Sequence, residues 1–377
     1  MRHRPLPALL LAGALALAAG GTEAATELKA SNWLPPKFPN SVGYKTFVEV
    51  AEKESKGALK FKVFYGGALL GAKATLDGVR DGVADVGHVV YTYYPAEFRY
   101  GELINDLSMV GTDNDAASFA LTELQMLHCA PCQEEQRKAR VVYLGGYSTP
   151  PYVMHSKVDV NSPEALKGKK FRSGGPIWDR WAQFVGGVPV NLPSSDMYEA
   201  LERGQLDIAI YAAGGIKTHG LGDVAKYVTL LPLGSFRSDS LFTFNRERWR
   251  SLSNDERLAI MKAAAAGIVV TNREYAEGDE EGLALARKKK IAVVEPSAEM
   301  TQLLDRFIEQ DLARTVEHAK TEYGIAEPQP VIDSYKQLYD KYVKLLEPIG
   351  KDKDKMTAIL WNEVFAKVDP AAYSMEK

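Results

Sequence analysis

Beyond its first two dozen residues, the chain alternates short apolar runs with longer stretches in which apolar residues recur every three or four positions. The short runs have the pattern of strands, and the longer stretches that of helices with one face against a core. Leu28-Lys29-Ala30 opens a strand, and 44–55 follows as a helix with Phe47, Val48 and Ala51 on one face. Residues 59–65 make the next strand. Gly66-Gly67 turns the chain toward a helix over 73–80, and 83–90 returns as a strand. This order predicts α/β layers rather than an all-β or all-helical fold.

Two stretches echo one another. Val79-Arg80-Asp81-Gly82-Val83-Ala84-Asp85-Val86 and Leu201-Glu202-Arg203-Gly204-Gln205-Leu206-Asp207-Ile208 both read as helix end, Gly, two residues, Asp, strand. Each feature taken singly is ordinary turn chemistry. Recurring about 120 residues apart at one spacing, they predict two lobes of similar build, with chance likeness between two common connections as the alternative. Ser253-Asn254-Asp255-Glu256 is a capping box, and no proline follows it before Pro296. A helix from there through Lys289 would be about 55 Å long at about 1.5 Å per residue, long enough to touch both lobes. Gly278 and Gly282 are candidates to bend or split it. Helices over 297–323 and 331–346 and an amphipathic stretch over 356–368 are expected to clamp the lobes. The apolar residues Ile359, Leu360, Trp361, Val364 and Phe365 either pack back on them or dimerise; a monomer is expected.

The N-terminus stands apart. Arg2 and Arg4 precede an apolar run of 14 residues, 6–19, and small residues lead to Ala24. This is the pattern of a secretory signal peptide cut near Ala24. A retained anchor is the alternative, but the run is shorter than the roughly 20 residues that span a bilayer, and no Cys follows to take a lipid. Removing Arg2, Arg4 and Glu23 takes 46 basic and 49 acidic residues to 44 and 48, a formal net charge of −4. Lys and Arg are dispersed, which points away from nucleic acid. The only cysteines, Cys129 and Cys132, flank Ala130-Pro131. In an oxidising compartment they are expected to form a local disulfide; a thiol-disulfide oxidoreductase site is the competing reading, set against it by the helical pattern of 116–128 where a strand should precede such a motif.

Catalytic signatures are missing. There is no His-Glu-x-x-His and no Gly-x-Ser-x-Gly, the six His are scattered, and Gly66 to Lys73 imitates a phosphate loop only loosely. No enzyme activity, cofactor or metal is expected. The chemistry that is present centres on Leu166-Lys167-Gly168-Lys169-Lys170-Phe171-Arg172-Ser173-Gly174-Gly175. A short helix over 162–166 leads through a turn to a strand that carries Arg172 into a Gly-rich segment. There a guanidinium either grips a ligand carboxylate through two parallel hydrogen bonds or pairs with a neighbouring acid of the protein.

Along most of the mature chain the sequence resembles the DctP-type extracytoplasmic receptors of tripartite ATP-independent periplasmic (TRAP) transporters. The resemblance is densest in Val160-Asn161-Ser162-Pro163, Leu166-Lys167-Gly168, Phe171-Arg172, Pro189-Val190, Tyr198-Glu199-Ala200-Leu201, Gly204 and Asp207. It implies a two-lobed periplasmic binding-protein fold with a hinge cleft and a long helix spanning both lobes. On that reading 1–24 is the signal peptide, 25–148 plus about 238–275 form lobe I, 149–237 plus about 276–345 form lobe II, and 346–377 is a C-terminal helical segment. The resemblance gives Arg172 the role of pairing with the ligand carboxylate, and implies a small organic-acid ligand, a periplasmic location and integral-membrane TRAP permease subunits as partners. A sensory receptor is the alternative partner.

Two departures shape the expected ligand. The second Arg that many members carry is absent from Thr149-Pro150-Pro151-Tyr152, and Asp207 is followed by Ile208-Ala209-Ile210-Tyr211-Ala212 in place of the usual Asp-Gly-x-x-Asn-Pro. Aromatic residues stand in their place: Trp33, Tyr91, Tyr93, Tyr94, Trp178, Tyr211 and Phe236. Flat apolar faces with single donors suit a monocarboxylate with an apolar or aromatic body. Arg237 is a candidate for a second charge.

Overall fold

The computed structural model describes residues 24–376; the expected signal peptide lies outside the described residues, apart from Ala24 itself. Among those residues eleven strands form two sheets. The first holds β1 (Thr26–Ser31), β2 (Leu59–Phe64), β3 (Val86–Val90), β4 (Val141–Tyr143) and β10 (Asp239–Asn245), ordered β2-β1-β3-β10-β4. The second holds β5 (Val153–Ser156), β6 (Lys170–Ser173), β7 (Val188–Asn191), β8 (Ile208–Tyr211), β9 (Tyr227–Thr229) and β11 (Ala292–Val294), ordered β11-β9-β5-β8-β6-β7. Each sheet is the core of one lobe.

The sequence echo is a structural repeat. In each sheet a central strand, β1 or β6, has parallel neighbours on both sides, and an antiparallel strand follows. Gly82 and Gly204 both take positive φ, 77° and 70°, which a residue without a Cβ adopts without strain. The Asp that follows closes the same ring in both lobes. Asp85 accepts from the Lys29 amide at 2.7 Å and returns its own N–H to the Lys29 carbonyl at 2.9 Å. Asp207 does the same with Lys170, at 2.8 and 2.9 Å. Because Val83 is still in the turn, half exposed, β3 begins at Val86 rather than at the expected 83.

The chain crosses between the sheets from β4 to β5, from β9 to β10, and along the helix Asn254–Lys288. That helix is one unbroken element of 35 residues, opened by the Ser253/Glu256 capping box, and neither Gly278 nor Gly282 splits it. Its glycines serve close approach instead. Gly267 meets Gly43 of the helix Pro39–Glu54 in the first lobe, where an added Cβ would lie 3.0 Å from the Gly43 carbonyl. Gly282 meets the backbone of Ala213 and Gly214, just past β8 in the second.

The C-terminal helices differ from expectation in one respect. The helix Gln329–Leu346, expected in the second lobe up to residue 345, packs on the helix Asn114–Glu123 of the first. Its tyrosines explain this: Tyr339 accepts from the Asp113 amide at 3.0 Å, and the Tyr342 hydroxyl reaches Glu123 while its ring packs edge-on against Phe119. Leu360, Val364 and Phe365 are buried against the rest of the chain. The expected helix over 116–128 ends in a π turn, Leu124–His128, before Cys129, which is bonded to Cys132 at the start of the helix Ala130–Lys138.

Candidate functional site

Between the lobes, β6 delivers Arg172 to the cleft. Phe171 anchors the strand in the lobe core, and Arg172 itself is only 2% exposed. Its Nε donates to the Leu192 carbonyl at 3.1 Å and its Nη1 to the Ile210 carbonyl at 3.2 Å. Among the described residues no carboxylate pairs with it, so the alternative of an internal ion pair does not hold. Burying a guanidinium without a counter-ion is costly, and an incoming carboxylate would supply the missing charge. Burial raises the Tyr93 and Tyr152 hydroxyls above the usual range, and the Arg172 guanidinium beside them opposes that rise.

These groups line a small interlobe cavity, together with Gly174 and Ser194 at its polar end. Trp33, Leu34, Val90 and Phe236 make its apolar wall, and Tyr147, Tyr211 and Tyr275 complete it. The Tyr211 ring lies 5.9 Å from the guanidinium carbon, within cation–π range. Tyr147 stacks on Tyr275 with centroids 5.2 Å apart. The lobes meet directly over this site: the Thr92 hydroxyl donates to the Gly174 carbonyl at 2.8 Å, and the Ser194 amide to the Tyr93 hydroxyl at 3.3 Å. Space for a water-sized sphere is about 20 Å³, so a ligand enters only when the lobes part.

A buried polar pair supports the wall. Trp33 stacks on His88 at 5.3 Å, and His88 Nε2 sits 3.4 Å from the Asp239 carboxyl. Burial drives the imidazole down to about 3 and the carboxyl well up. Burial thus opposes charge on either partner, and Arg172 is the basic side chain among the residues that line the cavity.

Of the sequence-predicted site residues, Arg172, Trp33, Tyr211 and Phe236 come together here. Four others do not. Tyr91 and Tyr94 bracket the 3₁₀ turn Tyr91–Tyr93, whose three-residue period puts them on a face away from Tyr93: Tyr91 stacks on Phe98, and the Tyr94 hydroxyl donates to the Ala72 carbonyl. Trp178 stands one layer behind the cavity, stacked on Tyr152 and donating to the Leu233 carbonyl. Arg237 is spent on backbone carbonyls of Ser108, Val110 and Ser235 and on the Tyr335 hydroxyl, which makes it an internal clip. Sequence reasoning missed Tyr147, Tyr152, Ser194 and Tyr275 as lining residues. The first two flank the β4–β5 crossing, and a tyrosine in a segment that joins two lobes was the available signal.

A buried guanidinium in an aromatic interlobe cavity can grip a carboxylate through paired hydrogen bonds. The profile of the bacterial extracellular solute-binding protein family 7, DctP, matches residues 30–318. The chain belongs to this family. The likeness read from the motifs between 160 and 207 is thereby borne out. This family 7 protein is 25% identical over 288 residues to a solute-binding protein of Albidiferax ferrireducens, covering 74% of this chain and 80% of that one. It is 24% identical over 293 residues to the C4-dicarboxylate-binding periplasmic protein DctP of Rhodobacter capsulatus, covering 75% and 84%.

Among solved structures, it superposes with a TM-score of 0.75 on a marine metagenome TRAP solute-binding protein specific for aromatic acid ligands, in complex with 3-hydroxybenzoate, at 21% identity over 84% of this chain and 99% of that one. A TRAP solute-binding protein of Rhodoferax ferrireducens in complex with copurified benzoate gives 0.73, at 21% identity over 85% and 99%. The two-lobed fold of the family 7 protein is thus that of TRAP solute-binding proteins. Its family and its structural neighbours are binding proteins. No helix among the described residues is long and apolar enough to cross a membrane.

Proposed function

We propose that this family 7 protein is the periplasmic receptor of a TRAP transporter, which closes its lobes on a monocarboxylate with an aromatic body and delivers it to integral-membrane permease subunits. The observation that carries this reading is Arg172, a buried cation with no protein counter-ion, facing a cavity walled by Trp33, Tyr147, Tyr211 and Phe236. The cavity offers one positive charge, so it matches one carboxylate; the rest of its wall matches an apolar or aromatic body. Structural neighbours that bind benzoate and 3-hydroxybenzoate support the aromatic assignment. Ligand contacts from both lobes favour the closed form by their differential affinity. Residues 25–148 with 238–275 move as one lobe and 149–237 with the β11 region as the other, the helix Gln329–Leu346 travelling with the first. Both sulfurs of the Cys129–Cys132 bond are buried, which leaves the oxidoreductase alternative without a reachable thiol.

The test is a thermal-shift screen of aliphatic, keto, hydroxy and aromatic carboxylates against the wild type and Arg172→Ala. A ligand at 100 times its dissociation constant adds about 2.7 kcal/mol. Aromatic monocarboxylates are expected to stabilise the wild type, to leave the variant unmoved, and to be recovered unchanged. A response confined to dicarboxylates or aliphatic acids overturns the aromatic assignment, and an unchanged response in the variant removes Arg172 as the anchor.

A further inference from the structure

The cavity has a second polar feature away from Arg172, and its hydrogen-bond direction is fixed. The Tyr275 hydroxyl donates to Asn40 Oδ1 at 2.8 Å. An amide oxygen only accepts, so the single Tyr275 proton is committed there. Tyr211 Oη lies 3.2 Å from Tyr275 Oη, and the hydrogen between them must then be that of Tyr211. The Asn40 amide nitrogen is buried without a hydrogen-bond partner, so the amide joins this chain through its oxygen alone. Asn40 is fully buried and Tyr275 is 4% exposed, so water does not rewire the chain.

The consequence falls on Tyr211. Its proton is used inward, and its oxygen keeps lone pairs with nothing to donate. The site therefore carries a cationic donor, Arg172, and beyond the Tyr211 ring an acceptor. We infer that the ligand is an aromatic monocarboxylate bearing a hydroxyl on its ring, whose O–H donates to the Tyr211 oxygen. A second carboxylate, a carbonyl or a methoxy group brings only lone pairs to that atom, and an unsubstituted ring leaves it unpaired in a closed site. Sites built to hydrogen-bond a substrate hydroxyl reject analogues lacking it more strongly than apolar pockets reject a missing methylene.

This inference rests on the aromatic-acid reading above, and titration calorimetry separates the two. Wild-type protein is titrated with 3-hydroxybenzoate, 4-hydroxybenzoate, benzoate and 3- and 4-methoxybenzoate. One of the hydroxy acids is expected to bind about tenfold or more tighter than benzoate and than its own methoxy analogue, the size of one lost hydrogen bond. In Tyr211→Phe the ratio of hydroxybenzoate to benzoate affinity falls to near one. In Tyr275→Phe the Tyr211 proton is released toward the ligand, and the methoxy analogue gains relative to benzoate, a reversal that a packing role for Tyr275 does not produce. If benzoate and the methoxy acids bind the wild type within about twofold of both hydroxy acids, the acceptor assignment is overturned while the aromatic-acid receptor stands. If no aromatic acid binds, both are overturned.

Discussion

Arg180, on the helix Pro176–Phe184 of the second lobe, donates through Nη2 to the Asp106 carboxylate of the first lobe at 2.8 Å and through Nε to Asp311 at 2.6 Å. Asp106 ends the helix Arg99–Asp106, and Asp311 belongs to the helix Ala298–Thr321, so one guanidinium joins three elements across the mouth of the cleft. The Tyr323 hydroxyl completes the Asp106 carboxylate at 2.8 Å. Charge-assisted bonds of this kind are stronger than neutral ones, and the one to Asp106 runs from the second lobe to the first.

Arg180→Ala is therefore expected to weaken the closed form selectively. Hydrogen bonds to charged groups contribute about 1.5–3 kcal/mol; with the side chain 21% exposed, the lower part of that range applies, a rise in ligand Kd of about tenfold. Calorimetry with the best carboxylate measures it. An unchanged Kd would show that the bond is present equally in the open form.

Glu102 faces the same junction. Burial raises its carboxyl to about 8, and Asp106 on its own helix, Asp179 from the facing helix and Glu135 from the helix Ala130–Lys138 add to the rise, with Arg180 alone opposing it. Both of its oxygens are buried without a partner. A raised folded value means the fold binds a proton that the unfolded chain, titrating near 4.5, has released. The stabilisation is complete below about 4.5 and is lost as pH rises through about 8. The wild-type melting temperature should fall between pH 5 and pH 8.5, and Glu102→Gln should flatten the upper part of that fall. A wild-type profile already flat above pH 6 would refute the assignment.

How much of this was legible in the sequence depended on the range of the interactions. The Gly82–Asp85 and Gly204–Asp207 turns and the Ser253/Glu256 box close within a few residues or onto the adjacent strand, so their spacing alone predicted two similar lobes and a long helix. Arg172 was legible because a strand end and a Gly-rich segment frame it. Tyr275 was not: its partners Asn40, Tyr147 and Tyr211 lie far along the chain, and Tyr211 belongs to the other sheet. Tyr91 and Tyr94 misled for a local reason, since the pattern of aromatics does not reveal that the chain tightens into a 3₁₀ turn that sends Tyr93 alone to the cavity.

The two glycines late in the long helix separate close packing from helix propensity. A Cβ at Gly282 would lie 2.6 Å from the Ala213 carbonyl oxygen and 2.8 Å from Gly214 Cα, both backbone atoms that no rotamer change can move aside. Around Gly278 nothing lies within 4 Å of such a Cβ. Gly282→Ala should therefore cost about 1–3 kcal/mol by overpacking, and because it displaces the segment that follows Tyr211, it should weaken ligand binding too. Gly278→Ala should stabilise by about 0.5–1 kcal/mol, the ordinary gain of alanine in a helix interior. Urea midpoints of the two variants moving in the same direction would show that the helix does not seat on the second lobe at Gly282.

The Cys129–Cys132 bond closes a very short loop at the start of the helix Ala130–Lys138, where the Cys129 sulfur also accepts from the Cys132 amide. For a loop of about four residues the chain-entropy relation gives a stabilisation of about 2 kcal/mol, small beside a bond that closes a long loop. With Cys129 and Cys132 1% and 2% exposed, neither can reach a protein substrate without local unfolding, and neither lines the interlobe cavity. A Cys129→Ala, Cys132→Ala double variant should accordingly lose about 2 kcal/mol of unfolding free energy while its carboxylate Kd stays within about twofold of the wild type, a shift of less than about 0.5 kcal/mol. Loss of binding in the double variant would instead tie this turn to closure of the lobes.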